Sequence, residues 1–223
     1  MIKLPYPRRV SSLTVEEALL LRRSIREFRD QPVKLEDLAL ILWASYGVSE
    51  PREGLLTTPS AGATYPLRVY VAVGSNGLLS SEGFIEAGIY RYDNVKHTMV
   101  LLKRGDVRRE LSRAALTQEY VATAPLSIVL TAIYERTTSV YGRRGELRYV
   151  PMEAGHASQN IYLMATSLGY GTVAIGAFRD RDVSSIIGVD GGETPLYIMP
   201  IGIPLTARRV SFDSLAEYFQ GAP

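Results

Sequence analysis

The spacing of apolar residues predicts several helices along the chain. A Thr14-Val-Glu-Glu17 capping box predicts a helix that begins there and ends near residue 23, with Thr14 accepting from the backbone N–H of Glu17. A second helix is predicted from four apolar positions that share one helical face: Leu35, Leu38, Ile41 and Leu42. Gly47 is expected to end this helix in a left-handed conformation. The longest helix is predicted over residues 152–168, with Gly169 following it.

Short apolar runs predict the strands of a sheet. Bounded β-branched or continuously apolar stretches predict strands at residues 69–73, 126–133, 172–177 and 196–201. Residues 88–92 and 98–102 flank the turn residues Asp93-Asn94, which favours a hairpin. Asp106 is expected to cap a helix that ends near residue 116. The pattern indicates an α+β fold in one domain over residues 1–223, with a central sheet, at least partly antiparallel, packed against helices.

Composition narrows the chemistry of this chain of 223 residues. It has no Cys, which excludes disulfides, thiolate catalysis and thiolate metal sites, and its two histidines exclude a His-rich metal site. No metal ligands are predicted. The first nine residues lack the features of a signal peptide, and no apolar run is long enough to span a membrane, so a cytoplasmic location is expected. The net charge is +2, and the arginines are not interleaved with aromatic residues as in a nucleic-acid-binding motif.

Four separated segments carry candidate chemistry. The first is Arg22-Arg23-Ser24-Ile25-Arg26 at a helix end, where guanidinium and hydroxyl groups can bind phosphate. The second is the loop at residues 59–66, in which small residues and prolines allow close approach to a flat ligand. The third combines residues 153–160 with Gly-rich stretches at 168–178, and the fourth is Arg208-Arg209. Taken singly, each segment is better explained by a solvated helix end, a turn, core packing or a basic tail.

Together and in this order, the four segments resemble the nitroreductase family of FMN-dependent oxidoreductases. The resemblance runs from about residue 11 to residue 209 and is nearest to the SagB-type dehydrogenases. It rests on three runs of sequence: Pro59-Ser-Ala-Gly-Ala-Thr-Tyr-Pro66, Tyr141-Gly-Arg-Arg-Gly145 with Arg148-Tyr149, and Glu153-Ala-Gly-His156 with Gln159-Asn160. The resemblance implies a nitroreductase-like fold and an intertwined homodimer with FMN at its interface.

The resemblance also implies a role for individual residues. Arg22 and Ser24 match the phosphate contacts, Arg23 lies between them, and Arg26 would reach the pyrimidine side of the flavin ring. Gln118 matches an amide for the pyrimidine edge, and Arg208 or Arg209 would return to the phosphate. Two further groups would line the flavin: Pro59, Ser60, Ala61 and Gly62, and Ala174, Ile175, Gly176 and Ala177. In the second group, Gly176 and Ala177 match the residues that offer backbone N–H groups to flavin N5 and O4.

The implied chemistry is hydride transfer by the flavin, with NAD(P)H as donor and a nitroaromatic, quinone or similar small molecule as acceptor. A second hypothesis is dehydrogenation of azoline rings in a ribosomal peptide, as in SagB relatives. Those relatives resemble one another in a Lys-Tyr pair, whose lysine position is Val140 here while Tyr141 is retained. Tyr141 is therefore either a proton donor or a structural tyrosine. A third hypothesis is a flavin-binding protein without turnover. His156 is expected to be a packed, hydrogen-bonded residue.

Overall fold

The structure is a computed structural model that describes residues 1–189, 191–206 and 210–221. Helix α1 begins at the predicted capping box, since Thr14 Oγ1 accepts from Glu17 N at 3.2 Å and Glu17 Oε2 accepts from Thr14 N at 2.8 Å. The α-helices are α1 Val15–Leu21, α2 Leu35–Tyr46, α3 Arg108–Ala114, α4 Glu119–Thr123, α5 Glu135–Tyr141, α6 Val150–Ser167, α7 Asp180–Ile187 and α8 Phe212–Gly221. A 3₁₀ turn covers Ala61–Ala63 and a π-helical turn covers Gly145–Tyr149.

The main sheet has seven strands in the order β1-β9-β8-β5-β10-β12-β11, and every pairing among them is antiparallel. Strand β2 pairs in parallel with β6, which pairs with β7, while β3 and β4 form a separate pair. The strands are β1 Ile2–Lys3, β2 Val33–Lys34, β3 Val48–Glu50, β4 Leu55–Leu56, β5 Leu67–Val73, β6 Leu78–Ser80, β7 Gly83–Phe84, β8 Gly88–Asp93, β9 Thr98–Arg104, β10 Leu126–Ala132, β11 Gly171–Thr172 and β12 Thr194–Gly202. The predicted α+β class and the predicted hairpin, β8 with β9, are confirmed.

Each face of the central sheet supports its own hydrophobic core. Alternate side chains of β5 point to opposite faces, so that Val69, Val71 and Val73 pack beneath α2 and α6. Tyr70 and Ala72 face the other side, toward α3, α4 and α7. Because both faces are covered, β10 is buried along its whole length, as its continuous apolar run predicts.

Four local predictions are corrected by the structure. Gly47 is extended (φ −83°, ψ 163°) rather than left-handed, and a Cβ there would lie 2.7 Å from the carbonyl oxygen of Trp43. The strand predicted at 172–177 pairs only through β11, with one isolated bridge at Ile175. Asp106 precedes the N-cap position of α3 and accepts from Arg108 N and Ser75 N instead. His156 is exposed on α6 rather than packed.

Helix α8 has no buried residue in the single chain. It presents three large exposed side chains, Phe212, Tyr218 and Phe219. Apolar surface of this kind is typical of a surface that another chain covers. Among the described residues, no helix is long and apolar enough to cross a membrane.

Candidate functional site

The hydroxyl of Tyr162, a residue of α6, connects the end of α1 to the segment that follows β11. The hydroxyls of Ser24 and Tyr162 lie 3.1 Å apart, and Tyr162 also accepts from the backbone N–H of Ala174 at 2.8 Å. The guanidinium carbon of Arg22 lies 5.1 Å from the centre of the Tyr162 ring, in a cation–π contact. Backbone pairing of Ser24 and Ile25 with Thr172 fixes the same junction. Tyr162 thus brings three predicted site residues together.

Arg23 points away from this junction. Its Nη1 donates to the carbonyl oxygens of Leu20 and Arg22 at 2.8 and 2.7 Å. These carbonyls belong to the last turn of α1, where the helix leaves acceptors without internal partners. Arg23 therefore closes the helix end, and the structure gives it a local partner that the sequence alone does not reveal.

A second cluster brings Arg26 and Gln118 together. The guanidinium carbon of Arg26 lies 5.9 Å from the centre of the Tyr120 ring, and the Tyr120 hydroxyl donates to Gln118 Oε1. Gln118 Nε2 donates to the carbonyl oxygens of Ala115 and Ala177 at 2.8 and 3.1 Å. Both amide hydrogens of Gln118 are thereby used within the chain, and the side chain keeps acceptor capacity only at Oε1.

Strained backbone lies beside these predicted residues. Leu116 and Thr117, which precede Gln118, have φ of 56° and 62°, and Ala63 and Tyr65 have φ of 51° and 44°. Left-handed conformations of non-glycine residues cost free energy and cluster at ligand sites. Of the six such residues in the described part of the chain, these four border segments that the family resemblance assigns to the flavin.

The Pro59–Gly62 segment is held by its own chain at a different place. Ser60 Oγ accepts from Tyr65 N at 2.9 Å, and Ser60 also hydrogen-bonds to the carboxylate of Glu153. Gly62 has φ 59°, and a Cβ there would collide with the hydroxyl of Tyr141. The Tyr141 ring packs edge-on against Tyr149, with centroids 4.9 Å apart. The structure thus brings the predicted catalytic residue, Tyr141, to this loop.

A buried carboxylate anchors the same loop to the core. Glu153 is 3% exposed, and its Oε1 accepts from the hydroxyl of Tyr46 at 2.5 Å. Burial raises the pKa of Glu153, although hydrogen bonds from Ser60 and Tyr46 oppose this effect. Burial and the neighbouring charge of Glu153 raise the pKa of Tyr46, so that its hydroxyl remains a donor.

The predicted residues therefore form two groups within one chain. Arg22, Ser24, Arg26 and Gln118 meet the 174–177 segment, whereas Pro59–Gly62 meets Tyr141 and Glu153. Within the described residues, no hydrogen bond, ion pair or ring contact joins the two groups. Arg208 and Arg209 lie outside the described residues. Sequence reasoning missed Tyr162, Tyr120 and Tyr46, which connect these segments, because a single tyrosine carries no local signal of its tertiary partner.

The residues at the first group fit the phosphate and ring of FMN. Among the described ion pairs, none involves Arg22, Arg23 or Arg26, so Arg22 and Arg26 keep their charge for a ligand. The buried hydroxyl of Thr172, opposite Ser24 in the backbone pairing, has no hydrogen-bond partner in the part of the chain that the structure describes. A Cβ on Gly176 would meet nothing closer than 3.9 Å, so the backbone there is open to close approach.

Two pockets formed by described residues lie elsewhere. One of about 680 Å³ lies between the N-terminal segment, α1, α2 and α6, and one of about 660 Å³ lies beside β3, β4 and the β8–β9 turn. Arg22, Ser24 and Arg26 line neither of these two pockets.

The fold is that of the nitroreductase type of flavin oxidoreductase, and the chain belongs to the nitroreductase family, whose model matches residues 19–203. The chain is 46% identical over 193 residues to a nitroreductase-family protein of Methanocaldococcus jannaschii, covering 86% of this chain and 92% of the relative. It is also similar to a nitroreductase-family crystal structure from Ralstonia eutropha, with TM-score 0.79, 32% identity and coverage of 92% and 90%.

A more distant similarity is to a chain of the E. coli microcin synthetase complex with truncated pro-MccB17 bound. The TM-score is 0.70, the identity is 21%, and 89% of this chain and 75% of that chain are covered. At this identity the similarity shows a shared fold.

Proposed function

We propose that the protein is an FMN-dependent oxidoreductase that transfers a hydride from NAD(P)H to a small acceptor such as a nitroaromatic or quinone. Proteins of the nitroreductase family typically bind FMN. The observation that carries the proposal is the convergence of three predicted site residues on Tyr162: Arg22 over its ring, and Ser24 and the Ala174 backbone at its hydroxyl.

The first group would divide its work between the phosphate and the ring. Arg22 and Ser24 would hold the phosphate, with Arg208 or Arg209 adding charge. Arg26 and Gln118 Oε1 would face the pyrimidine edge, and the backbone N–H groups of Gly176 and Ala177 would orient the reactive ring. FMN supplies the hydride chemistry when bound, and the positive charge of Arg26 favours its anionic reduced form.

We also propose a homodimer in which the Pro59–Gly62 loop and Tyr141 complete the site of the partner. This would explain why the two groups of predicted residues lie apart within one chain. The face of α6 that carries Met152 and Gly155 supports the proposal, because a Cβ on Gly155 would meet no described residue within 4 Å. A glycine inside a helix lowers stability by about 1 kcal/mol relative to alanine. A close approach by a second chain would explain why glycine stands at this position. A monomer that retains a full complement of FMN would contradict this arrangement.

FMN titration of the apoprotein tests the division of roles. We expect Arg22→Ala to weaken FMN binding about 10- to 100-fold, the usual cost of a lost charge-assisted contact. Arg26→Ala is expected to lower the flavin reduction potential with a smaller loss of affinity. Arg23→Ala is the matched control, because Arg23 bonds only to carbonyls of α1 and of Arg22. Equal losses of affinity in all three variants, or protein that cannot be reconstituted with FMN, would refute the assignment.

The azoline dehydrogenase remains a second candidate because Tyr141, the retained tyrosine of the Lys-Tyr pair, lies with its hydroxyl against Gly62 of the Pro59–Gly62 loop. The shared fold with the E. coli microcin synthetase chain supports it. Val140, at the lysine position, is 63% exposed and supplies no acid or base. An azoline-bearing peptide would lose about two hydrogens per ring if this activity is present. Bleaching of the flavin absorbance by NAD(P)H, followed by reoxidation with a quinone and without peptide oxidation, would favour the leading proposal. If neither NAD(P)H nor the peptide bleaches the flavin, the result would indicate a flavin-binding protein without turnover.

A further inference from the structure

A second pocket, separate from the proposed flavin residues, combines aromatic walls with two arginines. It has a volume of about 660 Å³ and lies where the start of β5 meets α5, the end of α2 and the turn between β8 and β9. We call it the Arg68–Arg136 pocket. Its aromatic walls come from Tyr6, Trp43, Tyr46 and Tyr65.

The charges of the two arginines are not balanced by an ion pair with any described carboxylate. Among the described ion pairs, none involves Arg68 or Arg136. Burial and the charge of Arg68 lower the pKa of Arg136, so the two cations repel each other inside the pocket. Arg136 Nη1 donates to the carbonyl oxygen of Tyr65 at 2.9 Å, which fixes one edge of the guanidinium and leaves its other donors available.

Glu193, the carboxylate whose charge acts on Arg136, is engaged elsewhere. Glu193 accepts from the hydroxyl of Thr131 and hydrogen-bonds to Tyr70, and it does not line the pocket. The negative charge of Glu193 favours the charged form of Arg136, but none of the described ion pairs joins these two residues. Two partly buried cations that lie close together without an ion-pair partner among the described residues favour the binding of an anion.

We propose that the Arg68–Arg136 pocket binds a small aromatic carboxylate. The carboxylate accepts from the free guanidinium donors, and the ring lies among the aromatic walls. The volume is within the range of small-molecule pockets, about 300–1,000 Å³. None of the residues that the family resemblance assigns to FMN lines this pocket, and Tyr65 in its wall meets the Pro59–Gly62 loop through its backbone N–H, which donates to Ser60 Oγ.

Trp43 is the only tryptophan of the protein and lines both this pocket and the pocket between α1, α2 and α6, so its fluorescence reports binding at either place and the arginine variants assign it to one of them. The probe is 4-phenylbutanoate, which does not absorb at the excitation wavelength of tryptophan, and 4-phenylbutan-1-ol is its uncharged counterpart. We expect the acid to change Trp43 fluorescence saturably and to bind at least about tenfold more tightly than the alcohol, with calorimetry giving the same Kd.

Variants locate the interaction. Arg136→Gln and Arg68→Gln are each expected to raise the Kd of the acid about 10- to 100-fold while leaving that of the alcohol unchanged. Arg181→Gln, an exposed arginine of α7 outside the pocket, is the matched control. Equal binding of acid and alcohol by the unmodified protein would overturn the proposal without any variant, as would equal Kd values for Arg136→Gln and Arg181→Gln. Measurement on both FMN-free and FMN-loaded protein separates this result from the fate of the proposed flavin activity.

Discussion

Removal of one hydroxyl group, in Tyr162→Phe, tests whether the junction around Tyr162 is a ligand site or only a structural contact. The hydroxyl accepts from Ala174 N at 2.8 Å and lies 3.1 Å from Ser24 Oγ, while the side chain is 8% exposed. Phenylalanine keeps the ring under the Arg22 guanidinium but leaves the Ala174 N–H without its acceptor. The substitution also frees the Ser24 hydroxyl to rotate.

The magnitudes follow from these contacts. A buried donor left without a partner costs about 1–3 kcal/mol, so we expect the free energy of unfolding to fall by about 2 kcal/mol. For a domain of this size, that corresponds to a fall in Tm of roughly 4–8 °C. Because Ser24 loses its orientation but not its hydroxyl, FMN affinity is expected to fall about three- to tenfold, less than for Arg22→Ala.

Urea unfolding and FMN titration of the same preparations separate the two effects. The matched control is Tyr92→Phe, since Tyr92 is also buried and its hydroxyl bonds to His97 Nδ1 at 2.8 Å, in the β8–β9 hairpin. We expect both variants to lose stability and only Tyr162→Phe to lose FMN affinity. The reasoning is refuted if the two variants bind FMN equally well, or if Tyr162→Phe changes neither quantity.

Three further predictions concern single contacts and pH. Gly62→Ala should destabilise the protein by about 1–2 kcal/mol because residue 62 has a positive φ. A further loss is expected from collision of the new Cβ with the Tyr141 hydroxyl, and this part should be relieved in the Tyr141→Phe background. Additive losses in a double-mutant cycle would contradict this contact. The raised pKa of Glu153 contributes stability that is present below the pKa of the unfolded state and is lost as pH rises. In urea titrations between about pH 4.5 and pH 7.5, Glu153→Gln should therefore gain stability relative to the parent as pH rises. A stability difference that does not vary with pH would contradict the raised pKa. Burial alone would raise the pKa of Asp106, but hydrogen bonds from Arg108 and Ser75 and the charge of Arg108 lower it. The loss of stability in Asp106→Asn should therefore be complete above about pH 4 and should disappear as pH falls. A loss of stability that persists in acid would argue against the ion pair.

Features that depend on neighbouring residues could be predicted from the sequence. The capping box at Thr14 acts within one helical turn, and the β8–β9 hairpin closes over a few residues, so the local pattern determines both. The buried strand β10 could be predicted because only a strand covered on both faces tolerates a continuous apolar run.

Features that depend on tertiary packing could not. Gly47 looks like a left-handed helix end, yet its requirement for glycine comes from the Trp43 backbone behind it. The family resemblance names Ser24 and Arg26, but the tyrosines that position them come from α6 and α4. No local pattern indicates that residue 162 lies beside residue 24, because that contact depends on how α6 crosses the sheet.

Helix α6 sets a fixed distance between the two groups of site residues. Glu153 near its start holds the Ser60 loop, and Tyr162 holds Ser24 and Ala174 nine residues later, which corresponds to about 13.5 Å along the helix axis. Deleting one residue between them would shorten this distance by about 1.5 Å and rotate one anchor by about 100° relative to the other. This stretch of α6 can therefore tolerate exchanges of exposed side chains but not the insertion or deletion of a residue, because either change would misalign one anchor with the other.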